Sequence, residues 1–249
     1  MNICLAGQYK TKPEDQKQMR RSLAPFILES FIQVNPDSSS LIKHYPFYML
    51  DSGAFSFMQG TKQYTKADFM AYVDKFIAYV NEYDIEHFFE MDIDCLLGYK
   101  KVLDLRKYIN SETGKKCIPV WHLSRGKYEF EKMCDEHDYV AIGGLVSKEI
   151  TFKDYDKLPM LISEAHRRKA KIHGLGFTSM KWLSRCHFDS VDSTAWLTGS
   201  RFGYLYRFNG RSMIKIYRPP NTKMRDSTAT AVNNFTEWVK FQKWAVTHL

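Results

Sequence analysis

No run of apolar residues in this chain approaches the length of about 20 that a membrane-spanning helix needs. A helical membrane protein is therefore not expected. Met1 to Gly7 is too short for the core of a signal peptide, and Lys10 interrupts any extension of it. Cysteine is sparse: Cys4, Cys95, Cys117, Cys134 and Cys186 are the whole set. Their number is odd and no two are spaced C-x-x-C, which argues against a disulfide framework and a cysteine-rich zinc site. No His-Cys-Asp spacing marks another metal centre, so neither metal nor cofactor is expected. This usage fits a reducing cytoplasm. Internal repeats and low-complexity tracts are missing too, so nothing points away from an ordinary folded domain.

What is present is a chain of 249 residues that is 44% hydrophobic, within the range of globular proteins. That length suits one large domain, and an α/β barrel takes about 250 residues. Lys and Arg outnumber Asp and Glu by 36 to 28, giving a net charge of +8 and an isoelectric point of about 9.1. An excess of this sign favours a polyanionic partner, nucleic acid first, although a merely basic soluble protein carries the same signature.

Short apolar stretches predict strands at Asn2–Ala6, Phe47–Leu50, His87–Met91, Cys117–Leu123, Tyr139–Ile142, Lys171–Leu175 and Phe188–Val191, with Met213–Tyr217 as the eighth. Helical patterns lie between them. Thr65 reads as an N-cap with Asp68 three residues on. Phe69, Tyr72, Val73, Phe76, Ile77 and Val80 then follow at the spacing of one buried helix face. Further helices are predicted over Leu96–Tyr108, Lys127–Glu136, Tyr155–Lys169, Ser179–Cys186 and Ala229–Val246. Repeated strand–helix alternation predicts a parallel α/β fold, and eight strands favour a single-domain (β/α)8 TIM barrel over residues 1–249. In such a barrel the active site lies at the C-terminal strand ends. Asp51, Asp92, Asp94, His122, Gly143, Gly144, His173, Asp189 and Asp192 all fall there. That clustering points to an enzyme.

Each cluster has a chemical reading beside a structural one. Asp51, in Leu50-Asp51-Ser52-Gly53-Ala54-Phe55, is followed by small residues that leave room for a flat ligand, and Phe55 can stack on it. A turn acid is the alternative. Asp92 and Asp94 offer carboxylates that accept paired N–H donors from a base, while Asp94 also suits an N-cap of the next helix. Gly143-Gly144 bares backbone to a ligand, or simply makes a tight turn. His122 and His173 end two strands, where a histidine is more often structural than catalytic. Asp189 and Asp192 flank Ser190 and precede Ser193 and Thr194. A carboxylate there can attack an anomeric carbon and form a glycosyl-enzyme. In the blander reading Asp192 caps a loop and Asp189 partners a nearby cation.

The segment from Arg201 to Arg225 holds Arg201, Arg207, Arg211, Lys215, Arg218, Lys223 and Arg225 and only one kind of charge. Phe202, Tyr204, Tyr206, Phe208 and Tyr217 are interleaved. Cations for phosphates with aromatics for unstacked bases is a nucleic-acid pattern, and some of these aromatics are expected to face the core instead.

Taken in order, these motifs resemble the tRNA-guanine transglycosylase superfamily. D-S-G-[GA]-[FY] stands at Asp51, an aspartate after an apolar strand at Asp92, G-G-L at Gly143-Gly144-Leu145, a glycine-flanked turn at Gly174-Leu175-Gly176 and D-x-x-D from Asp189 to Asp192, followed by Arg201 and Gly203. The likeness covers about residues 47 to 203. It implies Asp192 as nucleophile, Asp51 as general acid/base, and Asp92 as reader of the purine's Watson–Crick edge. It implies Phe55 as the stacking aromatic, Gly143, Gly144 and Leu145 as a base-contacting loop with Ser52 beside it, and Asp189 and His173 as supporting residues. His122 stands where the family has a base-reading glutamine. No cysteine follows Cys186, whereas the tRNA enzymes bind zinc near their C-terminus. The chain is in this respect similar to the phage-type DNA 7-deazaguanine transglycosylases, the DpdA group. The resemblance thus implies exchange of guanine in DNA for a 7-deazaguanine such as preQ0 through a covalent aspartyl-deoxyribose. Contact with DNA through Arg201, Arg207, Arg211, Lys215 and Arg218 goes with it. A tRNA-directed enzyme, a non-catalytic nucleic-acid-binding subunit and a glycoside hydrolase are the rival expectations; a helper protein or homodimer is left open.

Overall fold

A computed structural model describes residues 1–7, 24–54, 56, 65–177, 179–219 and 226–249. Eight parallel strands form one sheet: β1 (Asn2–Ala6), β2 (Phe26–Ser30), β3 (Phe47–Asp51), β4 (His87–Phe88), β5 (Val120–Trp121), β6 (Tyr139–Ile142), β7 (Lys171–Gly174) and β8 (Ser190–Ser193). Their order across the sheet is β4-β3-β2-β1-β8-β7-β6-β5. Side chains alternate across a strand. One set, Cys4, Ala6, Leu28, Met49, Phe89, Ile118, Val120 and Ala141, makes a small apolar cluster of its own. The alternate set, including Ile3, Leu5, Ile27, Leu50, Val140, Ile142 and Val191, joins a larger cluster shared with the helices. Burial on both faces explains why the strands read as short apolar runs rather than as polar–apolar alternation. The sheet is curled, with the small cluster on its concave side and the helices outside.

The longer helices are α1 (Lys66–Glu82), α2 (Tyr99–Thr113), α3 (Gly126–Glu136), α4 (Leu158–Arg167) and α5 (Ser227–His248). The capping box at Thr65 and Asp68 is present: Asp68 N–H donates to the Thr65 hydroxyl at 3.1 Å and Thr65 N–H to Asp68 Oδ2 at 3.0 Å. The helix predicted over Leu96–Tyr108 is two pieces, a single turn at Asp94–Leu97 and then α2. They are separated by Gly98 at φ 77°, a conformation that only glycine adopts without cost. Among the described residues no helix is long and apolar enough to cross a membrane.

The eighth strand of the sheet is not Met213–Tyr217. Phe26–Ser30 fills that place, between β1 and β3. Met213–Tyr217 is β10 of a separate antiparallel hairpin with β9 (Tyr204–Phe208). The physical reason is solvent: Ile214, Lys215, Ile216 and Tyr217 are all exposed, and a strand inside this sheet is buried on both faces. Helix α5 holds the hairpin by its free edge. Tyr206 N–H donates to Asn234 Oδ1 at 2.6 Å and Phe208 N–H to Glu237 Oε2 at 2.7 Å. The same helix ties down the sheet, since Gln242 Nε2 donates to the carbonyls of Ile3 and Phe26, each at 2.6 Å.

The two edge strands β4 and β5 meet at one parallel bridge, Phe89 to Ile118. Ile118 N–H donates to Phe88 O at 2.8 Å and Glu90 N–H to Ile118 O at 3.0 Å. Beyond that point the Glu90 side chain replaces backbone. Its Oε1 accepts from Val120 N–H at 2.9 Å and from Arg125 Nη1 at 2.8 Å, and its Oε2 accepts from Arg106 Nε at 2.6 Å. Arg125 also grips Asp94 with two bonds, at 2.7 and 2.5 Å, and lies 4.3 Å over the Tyr99 ring. Glu90 is fully buried. Removing one partner of a buried, hydrogen-bonded charge cluster costs about 3–5 kcal/mol. We expect Glu90→Ala to lower unfolding stability by about that amount, measured as the shift of the urea midpoint at neutral pH.

Candidate active site

The period of two that sorts the core also builds the site. Along β3, Phe47, Met49 and Asp51 share the concave face, so the acid ends a row of apolar side chains at the C-terminal mouth. Ser30 is its register partner on β2, and the Ser30 hydroxyl bonds the Asp51 carboxyl. On β8, Ser190 and Asp192 share that face two residues apart, and Cys4 of β1 is in register with Asp192. Asp92 follows β4 and His122 follows β5, so they enter from the other side of the curl.

Asp51 is the most perturbed acid of this group. Burial raises its pKa most, the Asp92 charge raises it next, and Asp192 adds to this. Bonds from Ser30 and from Gly53 N–H at 3.2 Å pull it down, and the balance is a pKa of about 7. Desolvation with like-charge neighbours is what keeps a carboxyl protonated near neutral pH. Asp51 therefore suits a group that both gives and takes a proton. It also caps its own turn through the Gly53 N–H, so the turn-acid reading describes its backbone role and leaves the chemical one open to it.

Asp192, 8% exposed, lies in a different environment. Its Oδ1 accepts from the backbone N–H of Gly176 at 2.5 Å and faces Nε2 of His173 at 3.4 Å. Gly176 has φ +68°, and a Cβ there would sit 2.3 Å from Val146 Cγ2. Only glycine lets that N–H turn onto the carboxylate. Asp192 Oδ1 thus has a backbone N–H and an imidazole nitrogen as neighbours, where Asp51 has a hydroxyl, a backbone N–H and two other acids.

Asp92 and His122 form a pair, with Nε2 to Oδ2 at 3.2 Å, and Glu149 Oε2 lies 3.1 Å from the other ring nitrogen. Burial works against the imidazolium, but the bonds and charges of Asp92 and then Glu149 outweigh it and raise the His122 pKa. Burial raises Asp92 above the usual carboxylate range despite the bond from His122. Burial would raise Glu149 too, but the Ser124 N–H at 2.7 Å and the His122 ring hold it below its ordinary value. Gly143 serves this imidazole: a Cβ there would meet His122 Cε1 at 2.7 Å. Its N–H is spent on Trp121 O at 2.8 Å, so the double glycine gives the ring room and does not offer that donor to a ligand. Gly144 turns the chain at φ +79°, with Glu149 packed against it, and Leu145 is half-buried. Ser52 is buried and accepts from Ala54 N–H at 3.4 Å, bracing the Asp51 turn.

The structure thus brings together Asp51, Asp92, His122, Gly143, Gly144, His173 and Asp192 at the mouth. Asp189 is not among them. It precedes β8 at the opposite end, where its Oδ2 accepts from Ile172 N–H at 2.8 Å and pairs with His166 at 2.9 Å. Three residues along a strand reverse the face and move the side chain about 10 Å, so Asp189 does not support Asp192. Asp94 does not cap its helix, since the Arg125 fork takes it. Phe55, expected to stack on the base, lies outside the described residues, as do Lys223 and Arg225.

The basic segment divides. Arg201, Arg207 and Arg211 are exposed. Lys215 stands 4.8 Å over the Tyr204 ring, and Arg218 packs on Gly203, where a Cβ would meet its Nε at 2.8 Å. Tyr204 and Tyr206 are buried, while Phe202 and Tyr217 are 71% and 67% exposed. Sequence reasoning did not single out Glu149, Ser30, Glu90 or Arg125. Glu149 alone had a local signal, an acid just after the Gly143-Gly144 turn. The others act across the sheet, through register or side-chain bonds that no spacing reveals.

Among the described residues no group of three or more His, Cys, Asp or Glu is arranged to hold a metal ion. No protein-family model matches this chain, and no curated protein matches it.

The Asp51 shift has a consequence for stability. Its folded pKa of about 7 exceeds the ordinary 3.8, so the folded state holds a proton that the unfolded chain has already released between those pH values. Stability then falls as pH rises from about 4 to about 7. We expect Asp51→Asn to flatten this part of the pH profile and to be more stable than the parent at pH 8, read from thermal midpoints across that range.

Proposed function

We propose that this protein is a base-exchange transglycosylase acting on guanine in DNA. The observation that carries the reading is the contrast between Asp51 and Asp192 at one mouth. One acid is shifted to about 7 by burial and its acidic neighbours, and the other accepts the Gly176 N–H and faces the His173 ring nitrogen with one oxygen. Paired carboxyl groups whose environments diverge divide the work of acid and nucleophile. The net charge of +8 and the exposed Arg201, Arg207 and Arg211 support a polyanionic substrate. The motif order from Asp51 to Gly203 supports a purine base over a sugar polymer. The reading carries with it a closed (β/α)8 barrel working in the cytoplasm, and the Phe89–Ile118 bridge supports the closed form.

In this mechanism the target nucleotide leaves the stack, since its glycosidic bond is out of reach inside a duplex. Asp192 attacks C1′ of the deoxyribose. The C1′–N9 bond breaks, its electron pair goes to the purine, and the Asp51 carboxylic acid supplies the proton to the departing base. An aspartyl-deoxyribose ester remains. A 7-deazaguanine such as preQ0 takes the place of guanine, with the free oxygen of Asp92 accepting from its N–H edge. Asp51, now a carboxylate, removes the N9 proton. N9 then attacks C1′ and the ester C–O bond breaks, which returns the Asp192 carboxylate. His122, clamped by Asp92 and Glu149, presents an N–H-bearing ring at the edge of the pocket. Phe55 is the stacking aromatic of this reading.

The test is incubation with preQ0 and either duplex DNA, single-stranded DNA or tRNA, followed by digestion and mass analysis of the nucleosides. Modified DNA with unmodified tRNA is expected; the reverse would move the substrate to tRNA. Asp192→Asn is expected to abolish the covalent adduct seen on a denaturing gel. Asp51→Asn should lower turnover about 10²–10⁴-fold while the fold persists. Normal exchange by a folded Asp192→Asn variant would overturn the assignment.

A further inference from the structure

Behind Asp192 a row of buried polar groups runs down the concave side of the sheet. Tyr139, at the start of β6, places its phenol oxygen 2.6 Å from Ser190 Oγ. Ser190 Oγ lies 2.5 Å from Nδ1 of His173. Nε2 of the same ring faces Asp192 Oδ1 at 3.4 Å. His173 and Ser190 are both fully buried, and the Phe89 ring, 5.1 Å away, flanks the imidazole. Buried polar groups in an otherwise apolar interior are held only where their bonds are satisfied in sequence.

We propose that Tyr139 and Ser190 are positioning residues that fix His173 as the Nε2–H tautomer, and that this assigns Oδ2 of Asp192 as its reacting oxygen. The protons can be counted. Tyr139 has one hydroxyl proton and Ser190 has one. If Tyr139 donates to Ser190 and Ser190 donates to Nδ1, the single proton of a neutral imidazole stands on Nε2 and points at Asp192. In the reverse order Nδ1–H would donate to Ser190. Ser190 would then have only the Tyr139 oxygen or the Met49 sulfur, 3.9 Å away, as acceptor. The Nε2 lone pair would also face a carboxylate oxygen, which is repulsive. The first order satisfies every group and the second does not.

The same geometry divides the two oxygens of Asp192. Oδ1 takes both Gly176 N–H and His173 Nε2–H. Among the described residues no donor is bonded to Oδ2. An oxygen with two donors is the poorer nucleophile, and the bare one is free to attack. On the transglycosylase reading, on which this half of the inference rests, Oδ2 forms the bond to C1′ and Oδ1 becomes the ester carbonyl oxygen. The two N–H groups then keep hold of the carbonyl as the ester forms and breaks, so the group does not rotate between half-reactions.

The test separates the two parts. Nitrogen-15 labelling of histidine and long-range nitrogen–proton correlation report the His173 tautomer in the resting protein without substrate, with His173→Gln to assign the signal. The Nε2–H form is expected. In Ser190→Ala the signal should move toward a mixture of tautomers, and the turnover number should fall about ten- to a hundredfold with KM for the incoming base little changed. Tyr139→Phe removes only the far donor and should shift both readouts the same way by less, which covers the case that Ser190→Ala folds poorly. An Nδ1–H tautomer in the parent protein, or a tautomer unmoved in both variants, would overturn the proposal. Absence of base exchange in the parent protein, with the Nε2–H form intact, would instead overturn the transglycosylase reading and leave the hydrogen-bond chain standing.

Discussion

The curl of the sheet depends on how β4 and β5 meet, and Glu90 governs that meeting. The strands are two residues each, too short to zip together by backbone alone. One bridge joins them, and then the Glu90 carboxylate takes the Val120 N–H that a longer strand would have bonded. A buried carboxylate needs compensation, and Arg106 and Arg125 provide it. Arg125 in turn grips Asp94, which lies two residues beyond Asp92. The seam that bends the sheet is therefore the support that aims Asp92 into the mouth. His122, on the other side of the seam, stands two residues beyond Val120. The Asp92–His122 pair thus spans the junction, and its geometry inherits the precision of the ion cluster beneath it.

The second constraint is electrostatic. Asp51, Asp92 and Asp192 share a partly dry mouth in a protein of net charge +8. Among the described residues, the seam arginines Arg106 and Arg125 are committed to Glu90 and Asp94. Each acid is instead handled by its immediate neighbours. Asp92 has an imidazole, and Asp192 has the Gly176 N–H and the His173 ring, whereas Asp51 has a hydroxyl, a backbone N–H and the repulsion of the other two. Burial with two acidic neighbours pushes the Asp51 carboxyl up to about 7. The settings of the three acids differ because their neighbours differ and not because of residue type.

Much of this was legible in the sequence, for identifiable reasons. Strands that bury both faces announce themselves as apolar runs, and polar residues at their ends are conspicuous, so Asp51, Asp92 and Asp192 stood out. The Thr65–Asp68 capping box is a local motif and came through intact. What failed was non-local. Phe26–Ser30 hides because its apolar run is short and ends in Glu29 and Ser30, while Met213–Tyr217 has strand composition but pairs only with its own hairpin partner. Asp189 and Asp192 look equivalent as D-x-x-D, yet an odd spacing along a strand sends them to opposite faces and ends. The Glu90 cluster had no motif at all. Acids and arginines scattered over 36 residues, from Glu90 to Arg125, become one object only when the sheet curls.

The basic segment shows why charge density along a chain is not charge density on a surface. Tyr206 is bonded by Asn234 and Phe208 by Glu237, so β9 runs alongside α5 in the same direction. Helix α5 ends beside the Met1 amine, at the foot where β1 begins. Its other end, and with it the start of β9, lies toward the mouth. Arg201 and Arg218 therefore stand at the mouth end of the hairpin, and Arg211 at the turn lies at the far end. Lys215, though exposed, holds its ammonium over two tyrosine rings. On the proposed transglycosylase reading, a nucleotide turned out into the mouth would bring its phosphates to the rim. On that reading, Arg201 and Arg218 are the cations of this segment that would meet them, with the exposed rings of Phe202 and Tyr217 available to neighbouring bases. Arg207 and Arg211 are exposed farther along the hairpin, where contact on that reading would require the polymer to continue past the mouth. The hairpin thus sorts one basic stretch into a local clamp and a longer track. On the same reading, a substrate too short to continue past the mouth would meet only the clamp, and the charge that governs capture would grow with the length of the nucleic acid.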